Sequence, residues 1–196
     1  MNAKQTTDDF PQTIKLPDKS EVDVRLMTAD DRDEILNFAR SLREEDLMFL
    51  RTDITDPAVV DEWITNLETG DSITLVAYND NLLIGYASVH RNKARWTRRV
   101  GEIRVNVGSE YRSKGLGKFL TSRIFDVARH EGLRKLMANM TTDQKGAQAA
   151  FRRLGFIPEA ILADYVEDSN GTARDLVIMS YDVDGHNEQV DEPVHL

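Results

Sequence analysis

The sequence predicts an α+β fold, in which one mixed and mostly antiparallel sheet of about seven strands has helices on both faces. Two kinds of periodicity carry the prediction. Apolar residues that alternate with polar ones indicate strands, as at Val22, Val24 and Leu26, whereas apolar residues three or four positions apart indicate helices. The predicted elements run as a strand, two helices, three strands, a helix, a strand, a helix and two strands. Because helices and strands are intermixed along the chain, helices are expected on both faces of the sheet.

The N-terminal half is predicted to form a hairpin, two helices and a strand pair. Thr28 is a suitable N-cap because acidic residues follow it, and Pro57 suits the first position of a second helix. Gly70 ends that helix, and a polar turn at 79–81 separates the two strands. The predicted bounds are 14–26 for the hairpin, 29–42 and 57–70 for the helices, and 72–78 and 82–90 for the strands.

The C-terminal half alternates strands with two helices and ends in a hairpin. Gly132 and Gly155 end the helices, and Asn170 and Gly171 lie in the turn of the hairpin. The predicted strands are 100–107, 133–140, 156–167 and 172–182, and the predicted helices are 115–130 and 147–154.

The length of 196 residues suits a single domain, which we place at 13–183. Residues 1–12 are polar and are predicted to form a flexible tail. Residues 184–196 are polar and acidic, and we expect them to be disordered.

The composition excludes several classes of function. The chain has no cysteine, which excludes disulfides, thiolate metal sites and a cysteine nucleophile. Its four histidines are scattered, so no metal is expected. The net charge of -9 argues against binding to nucleic acid. No apolar run is long enough for a membrane span or a signal peptide, so we expect a cytoplasmic protein without a membrane partner.

The most informative motif is the segment Arg-Ser-Lys-Gly-Leu-Gly at 112–117. It lies between a predicted strand and a predicted helix, where backbone N–H groups and the helix N-terminus form a site for phosphate oxygens. Gly115 and Gly117 allow the main chain to approach the anion closely. Arg112, Lys114 and Lys118 are expected to add positive charge around it. A surface turn between a strand and a helix is the alternative interpretation.

Two other phosphate-binding motifs fit this segment less well. A P-loop needs Ser or Thr after its Gly-Lys pair, but Phe119 follows Lys118 here. A dinucleotide fingerprint needs a third glycine, which this segment lacks. The remaining pattern is Arg-x-x-Gly-x-Gly preceded by Val105 and Val107. It resembles the coenzyme A pyrophosphate loop of the GNAT (Gcn5-related N-acetyltransferase) superfamily, whose order of elements matches that of residues 13–183.

A second segment supports the resemblance. Residues 144–156 resemble the GNAT stretch Asn-x-x-Ala-x-x-x-Tyr-x-x-x-Gly-Phe, with Gln144 in place of Asn and Phe151 in place of Tyr. Phe151 has no proton to donate to a departing thiolate. The resemblance implies the following residues for binding of acetyl-CoA: Val105, Val107, Arg112, Ser113, Lys114, Gly115, Leu116, Gly117, Lys118, Gln144, Ala147 and Phe151.

The resemblance also implies direct attack of an amine on the acetyl carbonyl, with a carboxylate as general base. Glu102 lies on the strand that leads to the loop, where several family members carry a catalytic glutamate. An ion pair with Arg104 or Arg98 is the structural alternative for Glu102. Asn139 stands where other members carry the glutamate. Water, or a different residue such as Tyr165, is expected to serve as the acid in place of the missing family tyrosine. The alternative for Tyr165 is packing at a hairpin edge.

The acceptor is expected to be a primary amine, either of a small molecule or of a protein lysine or N-terminus. The segments at 16–31 and 41–51 resemble the bacterial protein lysine acetyltransferase branch, and the resemblance places the second one beside the acceptor cleft. Its acidic residues would favour a cationic acceptor: Glu44, Glu45, Asp46 and Asp53. A solvated helix end is the alternative. A noncatalytic acyl-CoA-binding module remains the alternative function, and a homodimer remains open.

Overall fold

Eight strands form one sheet in the computed structural model, which describes residues 9–47, 50, 52–91, 94–168 and 170–183. The strands are β1 Gln12–Lys15, β2 Glu21–Leu26, β3 Ser72–Asn79, β4 Leu82–Arg91, β5 Val100–Val107, β6 Lys135–Thr141, β7 Ile157–Glu167 and β8 Ala173–Asp182. The helices are α1 Arg32–Ser41, α2 Glu44–Leu47, α3 Pro57–Glu68, α4 Leu116–His130 and α5 Lys145–Arg153. Residues 1–8 and 184–196, which belong to the expected tails, lie outside the described residues, and the domain bounds stay a prediction.

The sheet has the order β1-β2-β3-β4-β5-β6-β8-β7. Only β5 and β6 pair in parallel, and the other neighbours are antiparallel. The predicted fold class is therefore confirmed. The strand count exceeds the expected seven because both strands of the first hairpin join the sheet.

The two faces of the sheet have separate apolar cores. On one face, α4 packs against β4 and β5, and its buried stripe includes Leu116, Leu120 and Ile124. On the other face, α1 and α3 pack against β4 and β3. Buried residues of this second core include Ile35 from α1 and Trp63 from α3. Helices thus cover both faces, as the element order predicted.

The start of α3 matters for the site because this helix forms one of its walls. Asp56 is the N-cap, and its Oδ1 accepts a hydrogen bond of 2.9 Å from Ala58 N. Pro57 occupies the first helical position, where its missing N–H costs no helical hydrogen bond. These local interactions fix where the helix begins and hence which of its side chains face the sheet.

Candidate active site

The two central strands separate in the middle of the sheet. The parallel ladder between β5 and β6 holds three pairs and ends at Glu102 and Met137. β5 continues to Val107 along β4, and β6 continues to Thr141 along β8. Beyond Glu102 each strand is therefore paired on its outer side, and a gap opens between the two.

A cavity of about 620 Å³ lies over the point where these strands separate. Its walls come from the loops before α3 and β5, from α3 itself and from residues of β4, β5, β6 and β8. Both members of the last parallel pair, Glu102 and Met137, contribute to it. The lining residues are Thr52, Ile54, Val59, Glu62, Trp63, Asn66, Tyr86, His90, Arg91, Thr97, Val100, Glu102, Arg104, Met137, Asn139 and Ile178.

A row of polar side chains crosses β4 and β5 on the face beneath the cavity. The register places three polar pairs side by side: His90 with Glu102, Ser88 with Arg104, and Tyr86 with Asn106. Such a row is unexpected beneath a packed helix, because burying polar groups costs free energy unless each one is hydrogen-bonded. It marks this surface as the candidate site.

The buried members of this row have hydrogen-bond partners. Asn106 Nδ2 donates a hydrogen bond of 3.0 Å to the Tyr86 hydroxyl oxygen, and burial raises the pKa of that hydroxyl. His90 Nε2 and Ser88 Oγ lie 2.8 Å apart, and Ser88 is fully buried. The His90 ring also packs at 5.9 Å from the ring of Trp63 on α3. These contacts hold the floor of the cavity in one arrangement.

Glu102 is the candidate base that the structure places in the cavity wall. Its Oε1 accepts a hydrogen bond of 3.1 Å from Arg104 Nε, so the alternative expectation of an ion pair with Arg104 is also met. The Glu102 side chain is only 18% exposed and that of Arg104 is 23% exposed. Asn139, the other strand candidate, lines the same cavity.

Tyr165 is not brought to this cavity. It is 65% exposed on β7, which is an edge strand, and it is not one of the lining residues. A bulge between Leu162 and Val166 interrupts the pairing of β7 with β8 at this point. The neighbouring Asp164 donates its N–H to Asp175 Oδ1 at 3.0 Å, which is a contact within the hairpin. The position favours the expected alternative of edge packing.

The predicted anion loop adopts a strand–loop–helix geometry. Helix α4 begins at Leu116, one residue later than expected, and Gly115 precedes it with φ of 93°. The first hydrogen bond across this start runs from Phe119 N to Gly115 O at 3.0 Å. The N–H groups of the first helical turn, at 116–118, therefore have no partner within the helix and are available to a ligand. The side chain of Leu116 is fully buried, so only its backbone is available to a ligand.

Two of the three loop cations that were expected to add positive charge around the anion already have acidic partners. Arg112 donates Nε to Val107 O at 2.9 Å, and its Nη2 lies 2.9 Å from Asp46 Oδ2. Lys114 Nζ lies 3.0 Å from Asp18 Oδ2. The side chains of Arg112 and Lys114 thus connect the loop to the segments that contain the two aspartates.

These aspartates respond electrostatically to their partners. Hydrogen bonds from Ser20 and then from Lys114 lower the pKa of Asp18 to about 2. Burial raises the pKa of Asp46, but hydrogen bonds from Arg112 and Arg43 outweigh it and lower that pKa overall. Both carboxylates are therefore charged at neutral pH.

The second motif packs against the core beside the gap. Gln144 Oε1 accepts a hydrogen bond of 3.0 Å from Thr141 N at the end of β6, so this amide oxygen is used within the chain. Phe151 packs edge-to-face on Phe156 at 5.0 Å, and Ala147 joins the same core. The register of the motif thus places all three residues on one side of α5 and its start.

Of the acidic residues expected at the acceptor cleft, the structure describes the side chains of Asp46 and Asp53, and neither lines the cavity. Asp46 is paired with Arg43 and Arg112. Asp53 accepts hydrogen bonds from the Thr55 side chain and backbone, which lower its pKa. The side chains of Glu44 and Glu45 lie outside what the structure describes, as do residues 48, 49 and 51 of the same segment.

Sequence reasoning missed several residues of the cavity wall. Tyr86 and His90 line the cavity, and with the buried Ser88 between them they put polar or amphipathic residues at alternate positions of an otherwise apolar strand, which was a detectable indication of a functional face. Glu62 and Trp63 carried no comparable indication, because a helix with mixed polarity is ordinary on a protein surface.

Neither a candidate metal site nor a candidate membrane-spanning helix is found in the part of the chain that the structure describes. Its described residues include no group of three or more metal-ligating side chains. Within the same residues, no helix combines the length and apolarity needed to cross a membrane.

A sequence profile of the Acetyltransferase (GNAT) family matches residues 36–156, which is more than half of the chain. The protein therefore belongs to the GNAT family of acetyltransferases, as the two motifs predicted. The bacterial protein lysine acetyltransferase branch stays a prediction.

Known proteins give a similar result. Streptothricin acetyltransferase of Streptomyces lavendulae is 34% identical over 90 residues, which are 45% of this chain and 47% of that protein. The match thus spans about half the length of this curated relative.

Solved structures share the fold. YncA of Salmonella typhimurium, solved with its cofactor acetyl-CoA, has a TM-score of 0.75 at 22% sequence identity. The match covers 89% of this chain and 99% of the YncA chain. The ribosomal-protein-S5-alanine acetyltransferase of Vibrio fischeri has a TM-score of 0.73 at 20% sequence identity. The match covers 89% of this chain and 98% of the Vibrio chain.

Proposed function

We propose that the protein is an acetyl-CoA-dependent N-acetyltransferase that transfers the acetyl group to a primary amine by direct attack in a ternary complex. One observation carries the proposal. The cavity that contains Glu102 lies where β5 and β6 separate, and β5 leads from there to the anion loop. A donor held by the loop and extended along the gap would present its acyl end to the cavity.

The loop geometry fits the diphosphate of coenzyme A. Gly115 has a φ of 93°, which an L side chain adopts only with strain. A Cβ at Gly117 would meet Val107 Cγ2 at 3.6 Å, so the loop lies close to the end of β5. We assign the first-turn N–H groups of α4 and the exposed Lys118 to the phosphates. The backbone of Val105 and Val107 would line the gap for the pantetheine arm.

We assign to Glu102 the role of general base. The acceptor enters as an ammonium ion and must lose a proton before its nitrogen can attack. Glu102 takes this proton, the nitrogen forms a bond to the acetyl carbon, and the carbon–sulfur bond breaks. The thiolate leaves without a protein acid at position 151, because a thiol with an ordinary pKa of about 8.5 is a good leaving group.

The names of two similar proteins support the two kinds of acceptor that the sequence left open. Streptothricin acetyltransferase is named for a small-molecule acceptor, and the Vibrio fischeri enzyme is named for an alanine of a ribosomal protein. The cavity volume of about 620 Å³ accommodates either a small amine or one side chain of a protein.

Release of free coenzyme A tests the proposal. The full chain is incubated with acetyl-CoA and a panel of polyamines, monoamines, amino acids and lysine peptides, and free thiol is followed with time. Amine-dependent release is expected. Binding of acetyl-CoA without release on any amine would instead favour the noncatalytic module.

The Glu102→Gln variant tests the assigned base. We expect kcat/KM to fall by about 10²–10⁴-fold, which is typical for loss of a general base. The loss in kcat/KM should be largest at low pH, where nearly all of the amine arrives protonated and needs a base. As the pH rises, more of the amine arrives already deprotonated. Glu102→Asp keeps the carboxylate and should retain part of the rate. An unchanged pH–rate profile in Glu102→Gln would exclude Glu102 as the base.

A further inference from the structure

We infer that Glu62 binds a second cationic group of the acceptor, so that the preferred substrates are aliphatic diamines and polyamines. The inference rests on the proposed function and narrows its acceptor class. It starts from the charges on the walls of the cavity and from the apolar surface that they share.

The two arginines among the described lining residues are already paired within the protein. Arg91 forms an ion pair with Glu131, and Arg104 forms one with Glu102. His90 shares a hydrogen bond with Ser88. A negatively charged acceptor would therefore have to compete with a carboxylate of the protein for each of these arginines.

Glu62 differs from these groups. It is exposed on α3, it lines the cavity, and within the described part of the chain it has no ion-pair partner. Among the described lining residues, both arginines are neutralised by carboxylates, and Glu62 is left as a carboxylate without a counter-charge. An ammonium group is the simplest ligand that compensates it, with a charge-assisted hydrogen bond to the carboxylate.

The two carboxylates of the cavity come from different walls. Glu62 belongs to the helix wall and Glu102 to the sheet wall. Much of the remaining surface is apolar: Ile54, Val59, Trp63, Val100, Met137 and Ile178. A chain of methylene groups suits such a surface, with the reacting amine at Glu102 and the second ammonium at Glu62. A monoamine of equal length would fill the same surface but leave Glu62 without a counterion.

Kinetics with matched acceptors tests this arrangement. Cadaverine is compared with n-pentylamine, and putrescine with n-butylamine, by the release of coenzyme A. In the wild type we expect kcat/KM to favour each diamine by about fivefold, since an ion pair at an exposed carboxylate contributes up to about 1 kcal/mol. The diamine KM should rise with salt because screening weakens the ion pair, whereas the monoamine KM should change little.

Glu62→Gln should remove the diamine preference through KM and leave kcat/KM for the monoamines within about twofold. Glu68→Gln is the matched control, because Glu68 is exposed at the end of the same helix and is not a lining residue. It should retain the preference. An equal loss for monoamines and diamines in Glu62→Gln would show that Glu62 acts on the reacting nitrogen, and would overturn the inference.

Calorimetry separates this inference from the proposed function. Cadaverine and n-pentylamine are titrated into the full-length protein in the presence of coenzyme A. If cadaverine binds more tightly than n-pentylamine and Glu62→Gln removes the difference, the inference is supported. This holds even if no amine is acetylated, because the absence of acetylation would overturn only the proposed function. Equal binding of the two amines, or equal turnover of both, overturns the inference and leaves amine acetylation standing.

Discussion

The guanidinium of Arg112 lies 2.9 Å from the carboxylate of Asp46, and this ion pair ties the anion loop to α2. The Nε of the same arginine donates to Val107 O at the end of β5. Arg112 thus joins three elements around the proposed phosphate site. Its charge is shared with Asp46, so an anion that binds the loop must compete with this carboxylate for the arginine.

The Asp46→Asn variant should therefore bind acetyl-CoA more tightly. The substitution removes a negative charge beside the loop and leaves an amide that Arg112 can release. We expect the Kd to fall by about fivefold, which corresponds to about 1 kcal/mol for a partly screened ion pair. Isothermal titration calorimetry measures it, with Asp33→Asn as a control on the exposed face of α1. Weaker binding would mean that Asp46 holds Arg112 in place for the phosphates.

The Gly117→Asp variant should lose affinity for acetyl-CoA without losing stability. A Cβ at this position makes only an ordinary contact with Val107 Cγ2, at 3.6 Å. A carboxylate in the first turn of α4 interacts favourably with the helix dipole, so the free energy of unfolding should rise by about 0.5 kcal/mol. The same charge repels a diphosphate, and we expect the Kd to rise by at least about tenfold.

Gly117→Asn has nearly the same shape as Gly117→Asp without its charge and serves as the control. Calorimetry gives the affinities, and urea denaturation gives the stabilities. If both variants bind acetyl-CoA as the wild type does, the loop is not the phosphate site.

Local patterns in the sequence predicted the fold and the loop but not the whole site. The strand and helix periodicities, the glycines of the loop and the position of Glu102 are properties of short segments, so they could be recognised from the sequence. That Glu62 on α3 and Glu102 on β5 line the same cavity depends on how helices pack on the sheet. The pairing of Arg112 with Asp46 likewise joins residues that are distant along the chain. No short-range pattern encodes such contacts.

Tyr165→Phe should leave turnover nearly unchanged. The Tyr165 side chain is 65% exposed on an edge strand and is not one of the residues that line the cavity. Loss of a general acid typically costs about 10²–10⁴-fold, whereas we expect kcat to change by less than about twofold. Steady-state kinetics with a saturating amine checks this expectation. A decrease in kcat of about tenfold or more would show that Tyr165 takes part in catalysis.

A second polar network stabilises the fold at the start of α1, where Asp31 is the N-cap. The Asp31 side chain is 3% exposed and accepts hydrogen bonds from Arg25 Nη1 at 2.7 Å, from the Tyr78 hydroxyl at 2.6 Å and from Thr28 N at 2.8 Å. Asp31→Asn leaves these donors with a neutral partner that cannot satisfy all of them. We expect the free energy of unfolding to fall by about 2–3 kcal/mol. This is at or below the low end of the range for a broken buried ion pair, because the Arg25 side chain is 38% exposed.

The pH dependence of stability provides the stricter test of this network. Burial raises the pKa of Asp31, but hydrogen bonds from Arg25, Tyr78 and Thr28 lower it overall. The folded state therefore binds this proton less tightly than the unfolded state, and the stabilisation is fully present above the unfolded pKa of about 3.9. It is lost as the pH falls through the lower, folded pKa.

Urea denaturation from pH 7 to pH 3 measures this loss. The free energy of unfolding should fall less steeply with decreasing pH in Asp31→Asn than in the wild type, whereas Asp30→Asn, at an exposed neighbouring position, should follow the wild type. Parallel curves for Asp31→Asn and the wild type would show that other carboxylates account for the acid sensitivity.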